Sequence, residues 1–212
     1  MNNKIKMVFI GLSVMVFLGC NSAFNNELSF LKWIGQPENG FVKYNSANGF
    51  NLSLKYLPSD YVAFLEYNKS GVDSLQLNSD MLNEFKGSMT FLLTIEHETK
   101  GTDATNYQVN NLPEFRQRIS ELNFEIKNHL FIKNKNGEKK FPVLATFENL
   151  YEVGGKKSFY IVFTRDSKNK DVSPTIDVVF QDPFFDTGIS HFMFEQDKID
   201  NLPELQFIKK NL

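Results

Sequence analysis

Thr175-Ile176-Asp177-Val178-Val179-Phe180-Gln181, Asp182-Pro183-Phe184-Phe185-Asp186-Thr187-Gly188 and Ile189-Ser190-His191-Phe192-Met193-Phe194-Glu195 follow one another without a break. This stretch decides the fold. Two seven-residue runs rich in β-branched and aromatic residues flank a loop built from Asp, Pro and Gly, the composition of two strands and a turn. In the second run Phe192 and Phe194 point one way and His191 and Glu195 the other, the period of a half-buried strand.

Working back along the chain, the same text recurs. Strands are expected over His129–Lys133, Val143–Val153 and Ser158–Arg165, with Asn136-Gly137, Gly154-Gly155 and the polar 166–171 stretch as connections. Closely spaced strands joined by short polar turns argue for an antiparallel meander. Further back, Leu112 to Ile126 reads as a helix. Phe115, Ile119, Leu122 and Ile126 fall on one stripe of a 3.6-residue period, with Asn111 at the cap and Pro113 and Glu114 in the first turn. Met89–Glu96 is a strand. Asn78 to Lys86 is a short helix capped by Asn78 and stopped by Gly87. Pro58-Ser59-Asp60 opens another through Tyr61–Tyr67. Phe41–Tyr44 and Phe50–Tyr56 form a hairpin turning at Asn48-Gly49. Leu31–Ile34 is a short apolar piece, and Leu202–Leu212 is a last helix or a loose end. The expectation is one α+β domain over 31–212, with a mostly antiparallel sheet of about six or seven strands and a few helices on one face.

The first 30 residues have a different composition. Lys4 and Lys6 precede an uncharged run, Met7 to Leu18, of twelve residues. A bilayer span needs roughly 20; twelve, behind a basic start, is the length of a secretory signal's apolar region. Leu18-Gly19-Cys20 ends it, and Cys20 is the sole cysteine. This resembles the lipobox of bacterial lipoproteins, with Phe17 where the pattern usually has Leu. The resemblance implies a diacylglycerol on the Cys20 thiol, cleavage of signal residues 1–19, and acylation of the new amino group. It also accounts for an unpaired cysteine in an exported chain. Two or three acyl chains anchor far more firmly than one, each buried CH₂ adding about 0.8 kcal/mol. Residues 20–30 then read as the lipidated cysteine and a tether. Asn21 after the cysteine, rather than Asp, and no run of acids beyond it, imply by the same resemblance an outer-membrane address facing the periplasm.

Of 23 basic and 25 acidic residues, the signal carries two lysines and no acid, so the mature chain has a formal charge near −4. That excludes the basic face that nucleic acid requires. Trp33 to Lys43, Leu54 to Tyr61 and the stretch from Val179 to Phe192 also resemble uncharacterised envelope lipoproteins of the Bacteroidota. That likeness implies an address and no activity.

The candidate sites are few. Asp177, Asp182, Asp186, His191 and Glu195 make the densest polar stretch. Asp182, Asp186 and His191 together could hold a divalent ion or do acid–base work, against the plainer reading of a loop. Asp186-Thr187-Gly188 is the triplet of aspartic proteases, without a matching second carboxylate loop. His97 and His129 read as strand-end residues. Trp33, Phe41, Tyr44, Tyr56, Tyr61, Phe64 and Tyr67 could line a groove for sugar or peptide, but at their spacing they fit a core better. No nucleophile elbow, phosphate-cradling glycine loop or cofactor motif occurs. The expectation is an anchored, non-enzymatic domain that binds an envelope protein or scaffolds an assembly. A small-ligand or glycan binder is the alternative, and a metal-dependent hydrolase at Asp182, Asp186 and His191 a third.

Overall fold

The structure, a computed structural model, describes residues 23–71, 79–134, 136–148, 155–165 and 174–209. Cys20 and the expected signal, the expected Asn78 cap, Gly154, the end of the strand expected to Val153, the 166–171 stretch and the last three residues lie outside them.

The domain is α+β, with the described strands paired antiparallel and divided between two sheets. Strands β1 (Val42–Ala47), β2 (Phe50–Leu57), β3 (Ser88–His97), β6 (Leu144–Glu148) and β7 (Lys157–Thr164) form one sheet in the order β1-β2-β3-β7-β6. Strands β4 (Leu130–Lys133), β5 (Lys139–Lys140), β8 (Thr175–Gln181) and β9 (Ile189–Glu195) form the other, in the order β5-β4-β8-β9. The expected single sheet of six or seven strands is thus, among the described residues, nine strands in two sheets. The strands themselves are placed well: β8 and β9 have the bounds read from the sequence. The late meander, however, is split. The β6–β7 hairpin leaves β5 and pairs with β3, while β8 returns to β4.

The reason is apolar load. Phe159, Ile161 and Phe163 on β7 are all fully buried, and so are Phe50, Leu52 and Leu54 on β2 and Phe91, Leu93 and Ile95 on β3. Such a face needs a second layer. The second sheet supplies it with Leu130, Val178, Phe180, Phe192 and Phe194, all in the same core. The Phe91 and Phe194 rings meet at 5.2 Å, tilted by 50°. At the sheets' edges the Asn45 amide donates to the Ser190 hydroxyl at 2.7 Å.

The helices α1 (Glu27–Ile34), α2 (Ser59–Lys69), α3 (Ser79–Phe85) and α6 (Gln206–Lys209) gather on one side. Phe30 packs on Tyr61, Phe64 on Phe207 and Tyr67 on Phe85. The Lys69 ammonium of α2 lies over the Tyr160 ring on the outer face of the five-stranded sheet. Helix α4 (Leu112–Phe124) lies in the chain between β3 of one sheet and β4 of the other and packs against β6, and α5 (Gln196–Asp200) follows β9. The α4 start is as expected: the Asn111 side chain accepts from the Glu114 amide at 3.0 Å, and Glu114 accepts from the Asn110 amide at 2.8 Å.

The tether expected over 21–30 needs correction, and with it the domain start at 31. Asn26 caps α1 by accepting from the Ser29 amide, and Phe30 is fully buried. Phe24 is pinned to the other end of the chain: its N–H donates to Glu204 O at 2.8 Å, and its carbonyl accepts from Phe207 N at 3.2 Å. A phenylalanine every few residues makes 24–30 a folded segment rather than a leash.

One glycine has an obligatory role. A Cβ on Gly155, at φ 72°, would lie 2.2 Å from the Thr102 carbonyl oxygen. That approach lets the start of β7 dock on the 102–107 loop, where Ala104 N donates to Gly155 O and Lys157 pairs with Asp103 at 2.9 Å. Burial opposes the Asp103 charge, but Lys157 and the Thr105 hydroxyl and amide outweigh it and hold the carboxyl below its ordinary value.

Candidate functional site

Three loops meet at the Phe50 end of the five-stranded sheet: the β1–β2 turn, the segment before α4, and the β8–β9 loop. Phe50 forms the floor. Its ring lies 5.0 Å from His97, 5.0 Å from Tyr107 and 5.1 Å from Phe185. Above it sit three non-glycine residues in the left-handed region, Asn48 at φ 51°, Gln108 at 53° and Asp186 at 55°. Such backbone costs energy and often collects at functional sites.

The polar atoms here form a closed ring. The Asn48 amide donates to the Tyr107 hydroxyl at 2.8 Å and to the Phe185 carbonyl at 2.9 Å. The Gln108 amide donates to the Tyr107 hydroxyl at 3.1 Å and to Asp186 Oδ2 at 2.9 Å. The Tyr107 hydroxyl donates to Asp186 Oδ2 at 3.4 Å. A phenol has one donor and two acceptor positions, and Tyr107 uses all three. Arg118 Nη1 donates to the Tyr107 carbonyl at 3.3 Å while its guanidinium stacks on Phe185 at 5.5 Å.

Asp182 is spent beside it. Its carboxylate accepts from the Phe184, Phe185 and Thr187 amides at 2.8 to 3.2 Å and from the Thr187 hydroxyl at 2.6 Å. The Asp182 N–H donates to Gly188 O, closing the loop at its base. This is an Asx-type turn carried through a whole loop, the plainer of the two readings.

The structure does not bring Asp182, Asp186 and His191 together. Asp182 faces its own loop and Asp186 faces Tyr107 and Gln108. His191 lies on the outer face of the four-stranded sheet, where its Nδ1 is 2.9 Å from Asp177 Oδ2. Glu195, the fourth acid of the stretch, pairs with Lys198 at 2.9 Å, which holds its carboxyl below the ordinary value. Among the described residues no three acid, histidine or cysteine side chains group as a metal site would need. His97 accepts from the Thr99 amide at 3.0 Å, and His129 meets Phe184 edge-on at 5.7 Å; both serve packing and turn structure.

The aromatic set is core rather than groove. Phe41, Tyr56, Tyr61 and Phe64 are buried, and Trp33 packs between Phe24 and Phe41. Tyr44 alone of the set is well exposed. The Tyr61 phenol is pushed far above its usual range, by burial first and by its hydrogen bond to Glu27 second.

Sequence reasoning missed Tyr107, Gln108 and Arg118. Asn48-Gly49 carried a signal, since that pair marks a turn with two left-handed residues. Nothing in sequence ties this turn to a tyrosine 59 residues on.

A second feature lies on the outer face of the four-stranded sheet. Phe131 and Val179 are buried there, yet stand apart from the main core. Side chains cover them: Lys139 lies 4.2 Å over the Phe131 ring, with Phe141 at 6.0 Å. Around them Ile189, Met193 and Phe141 are 60, 57 and 50% exposed.

No family model and no curated protein matches the chain. Among solved structures it is similar to a protein of unknown function from Burkholderia pseudomallei K96243, at 13% identity and a TM-score of 0.38, covering 83% of this chain and 88% of that one. A likeness of that degree brings no function with it.

Proposed function

We propose that the chain is a lipid-anchored envelope protein, held through Cys20 at the periplasmic face of the outer membrane, whose folded part binds a partner protein rather than catalysing a reaction. The address rests on the basic start, the twelve-residue apolar run and Leu18-Gly19-Cys20. The binding role rests on one observation, the apolar centre of the four-stranded sheet's outer face. Ile189, Met193 and Phe141 are large and exposed, with Phe131 and Val179 buried on the same face. The His191–Asp177 pair lies between Ile189 and Met193, so the face carries apolar side chains set around one polar pair; exposed apolar residues gathered on one face mark an interaction surface. Lys133 and Lys139 stand opposite each other at its β4–β5 margin, so the fitting partner presents apolar side chains with an acidic rim.

Phe24 is already part of the fold, so only three residues separate it from Cys20. Fully extended, the four steps from Cys20 to Phe24 reach about 14 Å. The domain therefore rides close to the bilayer with its helical side nearest, within reach of other envelope proteins at the same surface.

Purification of the tagged chain from its own membranes in mild detergent tests both halves. The N-terminal peptide is expected to carry a diacylglyceryl mass on Cys20, lost in Cys20→Ala. A stoichiometric companion is expected that survives in wild type and is lost in the folded double variant Ile189→Asp, Met193→Asp. A companion retained by that variant refutes the face; an unmodified Cys20 refutes the anchor. A small-ligand reading has one observation in its favour, a cavity at the other end of the molecule.

A further inference from the structure

That cavity lies where β2 ends, about 20 Å along the strand from Phe50 to Tyr56 at roughly 3.3 Å per residue. It encloses about 390 Å³. Its floor is Tyr56, which is 2% exposed. That side chain lines the cavity and no hydrogen bond to its hydroxyl occurs among the described residues; since no buried side-chain polar atom there lacks a partner, the hydroxyl is reached by solvent, and a ligand can take the place of that solvent. Burial pushes the phenol up to about 12, and the charges that act on it are Arg165, Asp200 and Asp60.

The walls carry both signs. Helix α2 begins at Pro58 with no capping side chain, so its first-turn amides and the positive end of its dipole front the cavity at Ser59 and Asp60. Lys86 and Arg165 supply two cations. Arg165 is paired with Asp200, whereas Lys86 has no carboxylate within ion-pair distance among the described residues. Asp60 and Glu204 place carboxylates on the same wall, and Leu202 and Leu205 make an apolar lip. A simple anion would meet Asp60, and a simple cation would meet Lys86 and the helix dipole. A ligand carrying both charges a few bonds apart satisfies both.

The position narrows the class. The lip residue Leu205 forms the bridge with Phe24, and Glu204 O accepts the Phe24 N–H. The cavity thus opens beside the point where the chain leaves for Cys20.

We propose that this cavity binds a zwitterionic phosphodiester, the chemistry of an aminoalkyl phospholipid headgroup. Its phosphate faces Lys86, Arg165, the Tyr56 hydroxyl and the α2 amides, its ammonium faces Asp60, and its glycerol side rests on Leu202 and Leu205. The choice of a membrane source over a free diester rests on the anchored reading above; the charge pattern does not.

The test uses the full chain in a non-ionic detergent, titrated with glycerophosphoethanolamine, with dihexanoyl phosphatidylethanolamine and with inorganic phosphate, and read by calorimetry. Binding of the dihexanoyl lipid is expected, weakened about tenfold, or 1.4 kcal/mol, by Lys86→Gln and measurably by Tyr56→Phe. Both variants keep the fold, since Lys86 is exposed and the phenol has no partner to lose. Equal binding of the water-soluble diester keeps the site and assigns it to a free ligand. Binding of neither diester, binding indifferent to Lys86→Gln, or equal binding of inorganic phosphate overturns the proposal. Lipidation of Cys20 is read independently by mass, so failure here leaves the anchor standing, and an unmodified Cys20 leaves the cavity's chemistry to these titrations.

Discussion

The two ends of β2 each carry a polar cluster, and the two are built on different principles. At Phe50 the central groups are answered: Tyr107 uses its full hydrogen-bonding capacity and Asp182 accepts four donors from its own loop. At Tyr56, where Arg165 is paired with Asp200, three groups are left open among the described residues: a phenol hydroxyl without a protein hydrogen-bond partner, a helix start without a capping side chain, and an exposed lysine. The first cluster looks the more functional by residue type, with Asp, His, Tyr and Arg close together. Yet a satisfied network rigidifies a fold, and capacity left unspent beside a cavity is what a ligand can use. Density of polar residues and availability of polar residues are separate properties.

Substitutions can break that contrast. The largest effect is expected from Asp182→Ala. It leaves the Phe184, Phe185 and Thr187 amides without their acceptor and frees the loop over Phe50, at a cost of about 3 kcal/mol, measurable by urea unfolding. A loss below about 1 kcal/mol would show that the loop is held by packing alone. Tyr107→Phe removes one hydroxyl from the ring and is expected to cost about 1 kcal/mol. Tyr56→Phe, the same chemical change at the other end of β2, is expected to alter stability at neutral pH by less than about 0.5 kcal/mol, because no bond is lost.

The Tyr56 pair of states also sharpens the contrast through pH. Its folded value is raised to about 12 from 10. The unfolded phenol therefore releases its proton first on the alkaline side. The contribution is fully present below pH 10 and is lost as pH rises through 12. Melting temperature is expected to fall across that window in wild type and to fall less in Tyr56→Phe. Equal slopes would mean that the Tyr56 phenol titrates as it does in the unfolded chain.

Much of the secondary structure was legible because it rests on local patterns. The Asn111–Glu114 start of α4, the Asn48-Gly49 turn and the alternation of Phe192 and Phe194 each need only a few neighbouring residues. The partition into two sheets was not legible. A strand such as Ser158–Arg165 records which face is apolar, but not whether its neighbour is β8 or β3. The site was less legible still. The acids between Asp177 and Glu195 are neighbours in sequence, yet alternation and loop geometry send them to His191, a loop, Tyr107 and Lys198. The residues that do converge at Tyr56 come from four separate segments.

The sequence by itself determined the elements, the antiparallel α+β class and the signature at Cys20, because periodicity, turn chemistry and a short motif are properties of neighbouring residues. The tertiary structure decided the division into two sheets, the inclusion of 24–30 in the fold, and which polar groups are spent and which remain open. Those depend on burial and on contacts between distant segments, and a residue's identity does not state whether its hydrogen bonds have already been met.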